Sequence, residues 1–182
     1  MRERVFLVGI GGQGVDSAGA ILAHMVLWQG LEVSSVSQYS PEVRGGWVSA
    51  TVIISDGEVG SPIVGRADSL LLFSRRSVAD ELHRAVPDGF IVANSSLTGS
   101  VDAGPTRVVE VPASAIAAEL GNEQVTNMVM LGAYVQVQGM LDPAGFEAAL
   151  RVVLPPRHHG HIPLNLKAVE LGAAEVVQMG AE

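Results

Sequence analysis

The chain has 182 residues and a net charge of −8 without any basic run, which argues against nucleic acid as its main partner. It contains no cysteine, which excludes disulfides, thiolate catalysis and cysteine-ligated iron–sulfur clusters from this chain. Hydrophobic residues make up 48% and aromatic residues only 4%, so the predicted core is aliphatic.

The apolar character of the chain has two further consequences. Its uninterrupted apolar runs are too short to span a bilayer, and the charged start Met1–Arg4 has no apolar segment typical of a secretion signal. We therefore expect a cytoplasmic protein with no membrane partner. The mean hydropathy of +0.34 predicts apolar surface patches, so we expect the isolated chain to self-associate as a homo-oligomer.

Strands and helices alternate over the first two-thirds of the chain, and helices finish it. Strands are predicted at Arg4–Val8, Leu31–Gln38, Trp47–Ser55, Ser69–Phe73, Phe90–Asn94 and Arg107–Val111. Helices are predicted at Val15–Gln29, Ser77–Val86, Pro112–Leu120, Gln124–Gln138, Pro143–Leu154 and Leu164–Met179. This order predicts a three-layer α/β/α Rossmann-like sandwich with a mostly parallel sheet and a helical C-terminal third. We expect one domain over residues 1–182.

A glycine turn joins the first strand to the first helix. Gly9, Gly11 and Gly14 have the G-x-G-x-x-G spacing, and the free N–H groups of the following helix make such a turn an anion site. A dinucleotide site also needs an acidic residue at the end of the second strand, but Glu32 lies at its beginning. The turn therefore favours another phosphate-bearing group over a dinucleotide, and a purely structural turn stays possible.

The loop Tyr39–Gly46 follows the second strand, where ligand-binding loops lie in open α/β sheets. It contains an aromatic ring, a proline, an opposite-charge pair and two glycines. Arg44 is suited to bind a carboxylate or phosphate with two hydrogen bonds. The alternative, equally supported by the residues, is a Glu42–Arg44 ion pair that stiffens the loop.

Three other groups of polar residues are less specific. The segment Arg157–His161 holds three histidines, but neighbouring histidines rarely converge on one metal, so a solvated loop that faces another subunit is favoured. Asn127 either bonds to the carboxyl edge of the sheet or is solvated in a helix turn capped by Thr126. Arg75 and Arg76 either reach the same crevice or solvate a loop. No catalytic residue and no metal ligand are predicted.

Four segments together resemble the gamma subunit of 2-oxoacid:ferredoxin oxidoreductases. They are the glycine turn Gly9–Gly14 with Gln13, the loop Tyr39–Gly46, the segment Thr126–Ala133 and the segment Asn165–Gly172. They occur in the family's order and cover almost the whole chain. Ser40 replaces the glycine that is commonest in the family's loop and leaves the proline, glutamate and Arg-Gly-Gly in place.

The resemblance implies a subunit of an enzyme that converts a 2-oxoacid and coenzyme A to acyl-CoA and CO2 and passes electrons to ferredoxin. Thiamine diphosphate, Mg and the Fe–S clusters would be held by partner subunits, named alpha, beta and possibly delta. The isolated chain is expected to be inactive. The gamma subunit would contribute to assembly and to the path of coenzyme A.

The predicted crevice for coenzyme A, or for a partner loop, lies at the carboxyl edge of the sheet. Its predicted residues are Gly9, Gly11, Gly12, Gln13, Gly14, Tyr39, Glu42, Arg44, Gly45, Gly46 and Asn127. The competing hypothesis is a stand-alone Rossmann-like nucleotide-binding oxidoreductase, which lacks the acidic residue after the second strand.

Overall fold

A computed structural model describes residues 2–40, 46–60 and 64–180. In these ranges the chain forms six strands and seven α-helices. The strands are β1 Arg2–Ile10, β2 Glu32–Tyr39, β3 Trp47–Ser55, β4 Ala67–Leu72, β5 Ala85–Asn94 and β6 Arg107–Val111. The helices are α1 Val15–Trp28, α2 Arg75–Glu81, α3 Ser95–Thr98, α4 Ala113–Glu119, α5 Thr126–Gln138, α6 Gly145–Val153 and α7 Ile162–Met179. Short 3₁₀ segments cover Leu82–Arg84, Glu123–Val125 and Pro156–His161.

The strands form one sheet in the order β2-β3-β1-β4-β5-β6. Strand β3 is antiparallel to both of its neighbours, with Val5 opposite Val52 and Val36 opposite Thr51. The pairs β1–β4, β4–β5 and β5–β6 are parallel. The predicted mostly parallel sheet is confirmed, with the antiparallel β3 inserted between β1 and β2.

Alternation along β1 shows why helices cover both faces of the sheet. Val5 and Leu7 join the larger core, which includes residues of α1 and α4–α7, whereas Phe6 and Val8 join a smaller core against which Val78 of α2 packs. The three-layer α/β/α arrangement is therefore confirmed. Within α5 every residue from 127 to 135 is buried, which explains its nearly continuous apolar sequence.

Two local predictions need correction. Helix α2 covers Arg75–Glu81 rather than Ser77–Val86: the Ser74 hydroxyl accepts a hydrogen bond from the Ser77 N–H and caps its start, and β5 already begins at Ala85. The segment Pro87–Gly89 lies within β5 instead of before it. The β4–β5 register shifts there, and a side chain on Gly89 would strike the carbonyl group of Asp68.

Among the described residues, no helix is both long and apolar enough to cross a membrane.

Candidate functional site

The glycine turn runs from the end of β1 to the start of α1, and its glycines meet different demands. Gly12 and Gly14 have positive φ values of 95° and 72°, a region that glycine adopts without strain. A Cβ on Gly9 would lie 2.9 Å from the Cβ of Phe73, so Gly9 lets the turn pack against the end of β4. A Cβ on Gly12 would meet no atom within 4 Å, so the backbone is open on that side.

Gln13 fixes the shape of this turn. Its Oε1 accepts a hydrogen bond from the Ile10 N–H at 2.8 Å, and its Nε2 donates to the Phe73 carbonyl at 3.1 Å. The side chain thereby joins the turn to the chain that leaves β4. Both polar atoms are engaged within the protein, so the geometry gives Gln13 a role in holding the turn.

The two ends of the loop after β2 are described, and Gly46 at its second end contacts the glycine turn. Ser40 and Trp47 close it, since the Ser40 N–H donates to the Trp47 carbonyl at 2.8 Å and the Trp47 N–H donates to the Ser40 hydroxyl at 3.0 Å. The Gly46 carbonyl accepts from the Gly11 N–H at 2.9 Å. The turn and the loop, which the sequence placed in one crevice, are therefore joined directly.

Part of that prediction lies outside the described residues. The predicted site residues Glu42, Arg44 and Gly45 fall in the range 41–45, so their roles stay predictions. Tyr39 is described and is 61% exposed at the end of β2. Partial desolvation and the nearby Asp16 carboxylate raise the pKa of its phenol. Asp16, at the start of α1, also accepts a hydrogen bond from the Ser37 hydroxyl.

Asn127 reaches the glycine turn from the first turn of α5. It is 6% exposed, and its Nδ2 donates to the Gly14 carbonyl at 3.1 Å. A Cβ on Gly14 would lie 2.6 Å from the same Nδ2, so the close approach needs glycine. The interpretation of Asn127 as bonded to the sheet edge is therefore supported over the solvated one. Thr126 instead donates to the Glu123 carbonyl at 2.7 Å.

Two cavities adjoin the turn, each with a volume of about 410 Å³. The first, the histidine cavity, is lined by Gly12, Gly14, Ser17, Ile21, Asn122, Gln124, Val125, Asn127, Leu154, His158, His161 and Asn165. The second, the Leu97 cavity, is lined by Gly12, Gln13, Leu97, Ser114, Glu123, Gln124 and Thr126. Gly12 and Gln124 belong to both. Each volume lies in the range of small-molecule sites.

The histidine segment divides into two parts. His159 Nε2 lies 2.9 Å from the Leu154 carbonyl and ties the segment to the end of α6. His158 and His161 line the cavity, with ring centroids 6.0 Å apart. Among the described residues no group of three potential ligands could hold a metal ion. Arg75 and Arg76 are exposed at the start of α2, where Arg76 pairs with Asp80 at 3.5 Å, and neither lines the two cavities.

The sequence reasoning missed a buried carboxylate, Glu3, which is 6% exposed. It accepts hydrogen bonds from the Ser69 hydroxyl at 2.6 Å, the Tyr134 hydroxyl at 3.0 Å and the Gln138 amide at 2.8 Å. Burial and the neighbouring Glu3 charge raise the pKa of Tyr134 well above its usual value. One signal was available, since Glu3 shares the inward face of β1 with Val5 and Leu7.

Comparison with known proteins gives this geometry a context. Residues 4–175 match the family model of pyruvate ferredoxin/flavodoxin oxidoreductase. The chain belongs to this family. The resemblance inferred from the four segments is thereby confirmed.

The chain matches a different fraction of the length of each relative. Ketoisovalerate oxidoreductase subunit VorA of Methanothermobacter thermautotrophicus is 38% identical over 172 residues, which are 93% of this chain and 35% of VorA. The chain therefore spans about a third of that relative. The 2-oxoglutarate synthase subunit KorC of the same organism is 31% identical over 186 residues, covering 98% of this chain and 97% of KorC.

A solved structure in the family has the same fold. The keto/oxoacid ferredoxin oxidoreductase gamma subunit from Geobacter sulfurreducens PCA superposes with a TM-score of 0.82 at 26% identity. The superposition covers 97% of this chain and 99% of that one. The likeness therefore extends over almost the whole of both chains.

Proposed function

We propose that this chain is the gamma subunit of a 2-oxoacid:ferredoxin oxidoreductase and acts in the cytoplasm. The complex would convert a 2-oxoacid, coenzyme A and oxidised ferredoxin to acyl-CoA, CO2 and reduced ferredoxin. Alpha, beta and possibly delta subunits would supply thiamine diphosphate with Mg and the Fe–S clusters. Family membership supports the proposal, as does the match to nearly the full length of KorC.

The part of the proposal that concerns this chain rests on contacts among three segments that are far apart in the sequence. Gly11 of the turn bonds to Gly46 of the loop, and Asn127 of α5 bonds to Gly14. These contacts bring together the residues by which the sequence resembles gamma subunits. We infer that the assembled edge forms part of the path of coenzyme A.

The residues at this edge fit a phosphate-bearing ligand. The Gly12 backbone is open, and no described residue accepts a hydrogen bond from the Gly12 or Gly14 N–H. Helix α1 points the positive end of its dipole at the same place. No carboxylate lines the histidine cavity within the described part of the chain, so none of its lining residues repels a phosphate. The chain's own contribution would be to bind and orient the ligand while partner subunits carry out the redox chemistry.

Two experiments test the proposal. The chain should co-purify with its partner subunits, and removing it should abolish 2-oxoacid turnover by the complex. Turnover that persists unchanged without the chain would contradict the proposal. In the assembled enzyme, Arg44→Ala should raise the KM for coenzyme A, because the guanidinium is the sequence's candidate for an anion contact. An unchanged KM would leave Arg44 with a structural role.

The competing hypothesis, a stand-alone nucleotide-binding oxidoreductase, has less support. Strand β3 separates β2 from β1, and Glu32 begins β2 at the opposite edge from the glycine turn. Strand β2 itself therefore carries no carboxylate at its end, the place from which a dinucleotide-binding fold holds the ribose. Saturable binding of NADH or NADPH by the chain alone, followed by fluorescence, would revive this hypothesis.

A further inference from the structure

The histidine cavity and the Leu97 cavity meet at the glycine turn. Gly12 and Gln124 line both, so the two spaces border the same residues, and Gly12 has no atom within 4 Å of its Cβ position. Each space has a volume of about 410 Å³. An elongated ligand that crosses Gly12 could therefore occupy both.

The two cavities differ in charge. The histidine cavity has two imidazoles and no carboxylate among its described lining residues. The Leu97 cavity has the Glu123 carboxylate beside the apolar Leu97 side chain, which is 46% exposed. A phosphate would be repelled by Glu123 and attracted by hydrogen-bond donors on the imidazoles. This difference favours one orientation of a ligand with a phosphate at one end, with that phosphate in the histidine cavity.

His158 and His161 have ring N–H groups that are available as hydrogen-bond donors. Arg157 donates from Nε to His158 Nε2 at 3.1 Å, so a neutral His158 ring carries its hydrogen on Nδ1. The same bond holds a guanidinium next to the cavity wall. His161 makes no ring hydrogen bond with the described residues, while Asn165 Nδ2 holds its carbonyl at 2.8 Å. Within the described residues the His161 ring therefore keeps both nitrogens free of hydrogen bonds, whereas the His158 ring has one nitrogen bonded to Arg157.

We propose that the two cavities form one groove for coenzyme A, in which His158 and His161 bind the phosphate-bearing adenosine end and the Leu97 cavity takes the uncharged pantetheine arm. This inference rests on the proposed function. Asn127 lies in the wall between Gly14 and the histidines, and its Oδ1 accepts no hydrogen bond from the described residues. That oxygen is available to a hydroxyl or amide of the ligand.

The test uses the two halves of coenzyme A as separate probes. Adenosine 3′,5′-bisphosphate, pantetheine and coenzyme A are titrated into the assembled complex by calorimetry. The double variant H158A/H161A should weaken binding of the bisphosphate and of coenzyme A about tenfold or more, as expected for lost hydrogen bonds to a charged group. Pantetheine binding should change less than about twofold. Leu97→Ala should have the opposite selectivity and weaken pantetheine but not the bisphosphate.

The matched control is His83→Ala, the same chemical change at an exposed position in the 3₁₀ segment Leu82–Arg84. It should leave all three affinities unchanged. If the double variant unfolds on thermal scanning, the single variants His158→Ala and His161→Ala replace it. Wild-type affinity for the bisphosphate in these variants would overturn the assignment of the histidines and leave coenzyme A binding intact. A wild-type complex that binds no coenzyme A would instead overturn the proposed coenzyme A path and this inference together.

Discussion

Helices α5 and α7 touch backbone to backbone through two glycines, and replacing either one should weaken the fold. A Cβ on Gly132 would lie 2.8 Å from the carbonyl carbon of Val169, and one on Gly172 would lie 2.8 Å from that of Val129. Ordinary contact begins at 3.4 Å, and the carbonyl oxygens of Val169 and Val129 lie closer still to these Cβ positions, so alanine at either position requires the helices to separate by more than about 0.6 Å. Because both sides of the contact are helix backbone, no side chain can rotate out of the way.

The magnitude follows from two opposing effects of Gly132→Ala. Alanine favours a helix over glycine by about 1 kcal/mol. Overpacking a core costs about 1–3 kcal/mol, and a rigid backbone contact belongs at the upper end of that range. We therefore expect a net loss of about 2 kcal/mol in the free energy of unfolding. For a chain of this size that loss lowers Tm by about 4–8 °C.

Thermal and urea unfolding of the full chain, followed by circular dichroism, measure this loss. The matched control is Gly57→Ala, where a Cβ would meet no atom within 4 Å and φ is not positive. It should leave stability unchanged or slightly raised. Gly172→Ala should behave like Gly132→Ala, and the double variant should lose less than the two single losses combined, since one separation relieves both clashes. A Gly132→Ala protein within about 0.5 kcal/mol of the Gly57→Ala control would refute the reasoning.

Two further predictions concern hydrogen bonds that the sequence did not reveal. Gln13→Ala should lower the free energy of unfolding by about 1–3 kcal/mol, because it leaves the Ile10 N–H without its acceptor; a urea midpoint equal to that of the wild type would contradict this. Of the two tyrosines, only Tyr39 should ionise in the folded chain, because the pKa of the buried Tyr134 is raised well above its usual value. Tyr134 then keeps its proton in the folded state but loses it in the unfolded state, so the free energy of unfolding should fall as the pH rises above about 10. Tyrosinate absorbance from both residues before unfolding would refute the assignment.

Local sequence patterns were sufficient to predict most of the strands and helices. The limits of β3 and β6 agree with their predictions, and α1 differs by one residue, because alternation, β-branched runs and terminal glycines act within a few residues of each element. The position of β3 between β1 and β2 could not be obtained in this way. Strand order depends on pairing between distant segments, which leaves little trace in the periodicity of each strand.

In the candidate site, too, local features could be predicted from the sequence and long-range contacts could not. The glycine turn and the loop after β2 were found from their residues, but their contact through Gly11 and Gly46 depends on the sheet order. The Asn127–Gly14 bond joins positions 113 apart, and Glu3 draws its donors from 66, 131 and 135 positions away. Such networks are satisfied by the fold as a whole rather than by any segment.

The four segments that resemble the family also serve different physical purposes. The glycine turn and the loop Tyr39–Gly46 contact each other at the candidate site. The segment Thr126–Ala133 begins with Asn127, which contacts the site, and contains Gly132, which contacts α7. The segment Asn165–Gly172 supplies the reciprocal glycine. A motif in this chain therefore marks either a ligand edge or a close helix contact, and only the structure separates the two.

The antiparallel β3 explains why a dinucleotide-like glycine turn leads to a different site here. In a doubly wound sheet β2 lies next to β1, and an acidic residue at its end reaches the ribose. In this chain β3 occupies that place, so β2 and β3 form a hairpin whose loop returns beside the turn through Gly46. The Gly12 backbone lines the cavity that residues of α5 and of the segment Arg157–His161 also line. The glycine turn therefore keeps its open space, but β2, whose end would bind the ribose of a dinucleotide, lies one strand further from β1. This arrangement favours a ligand held by its phosphates.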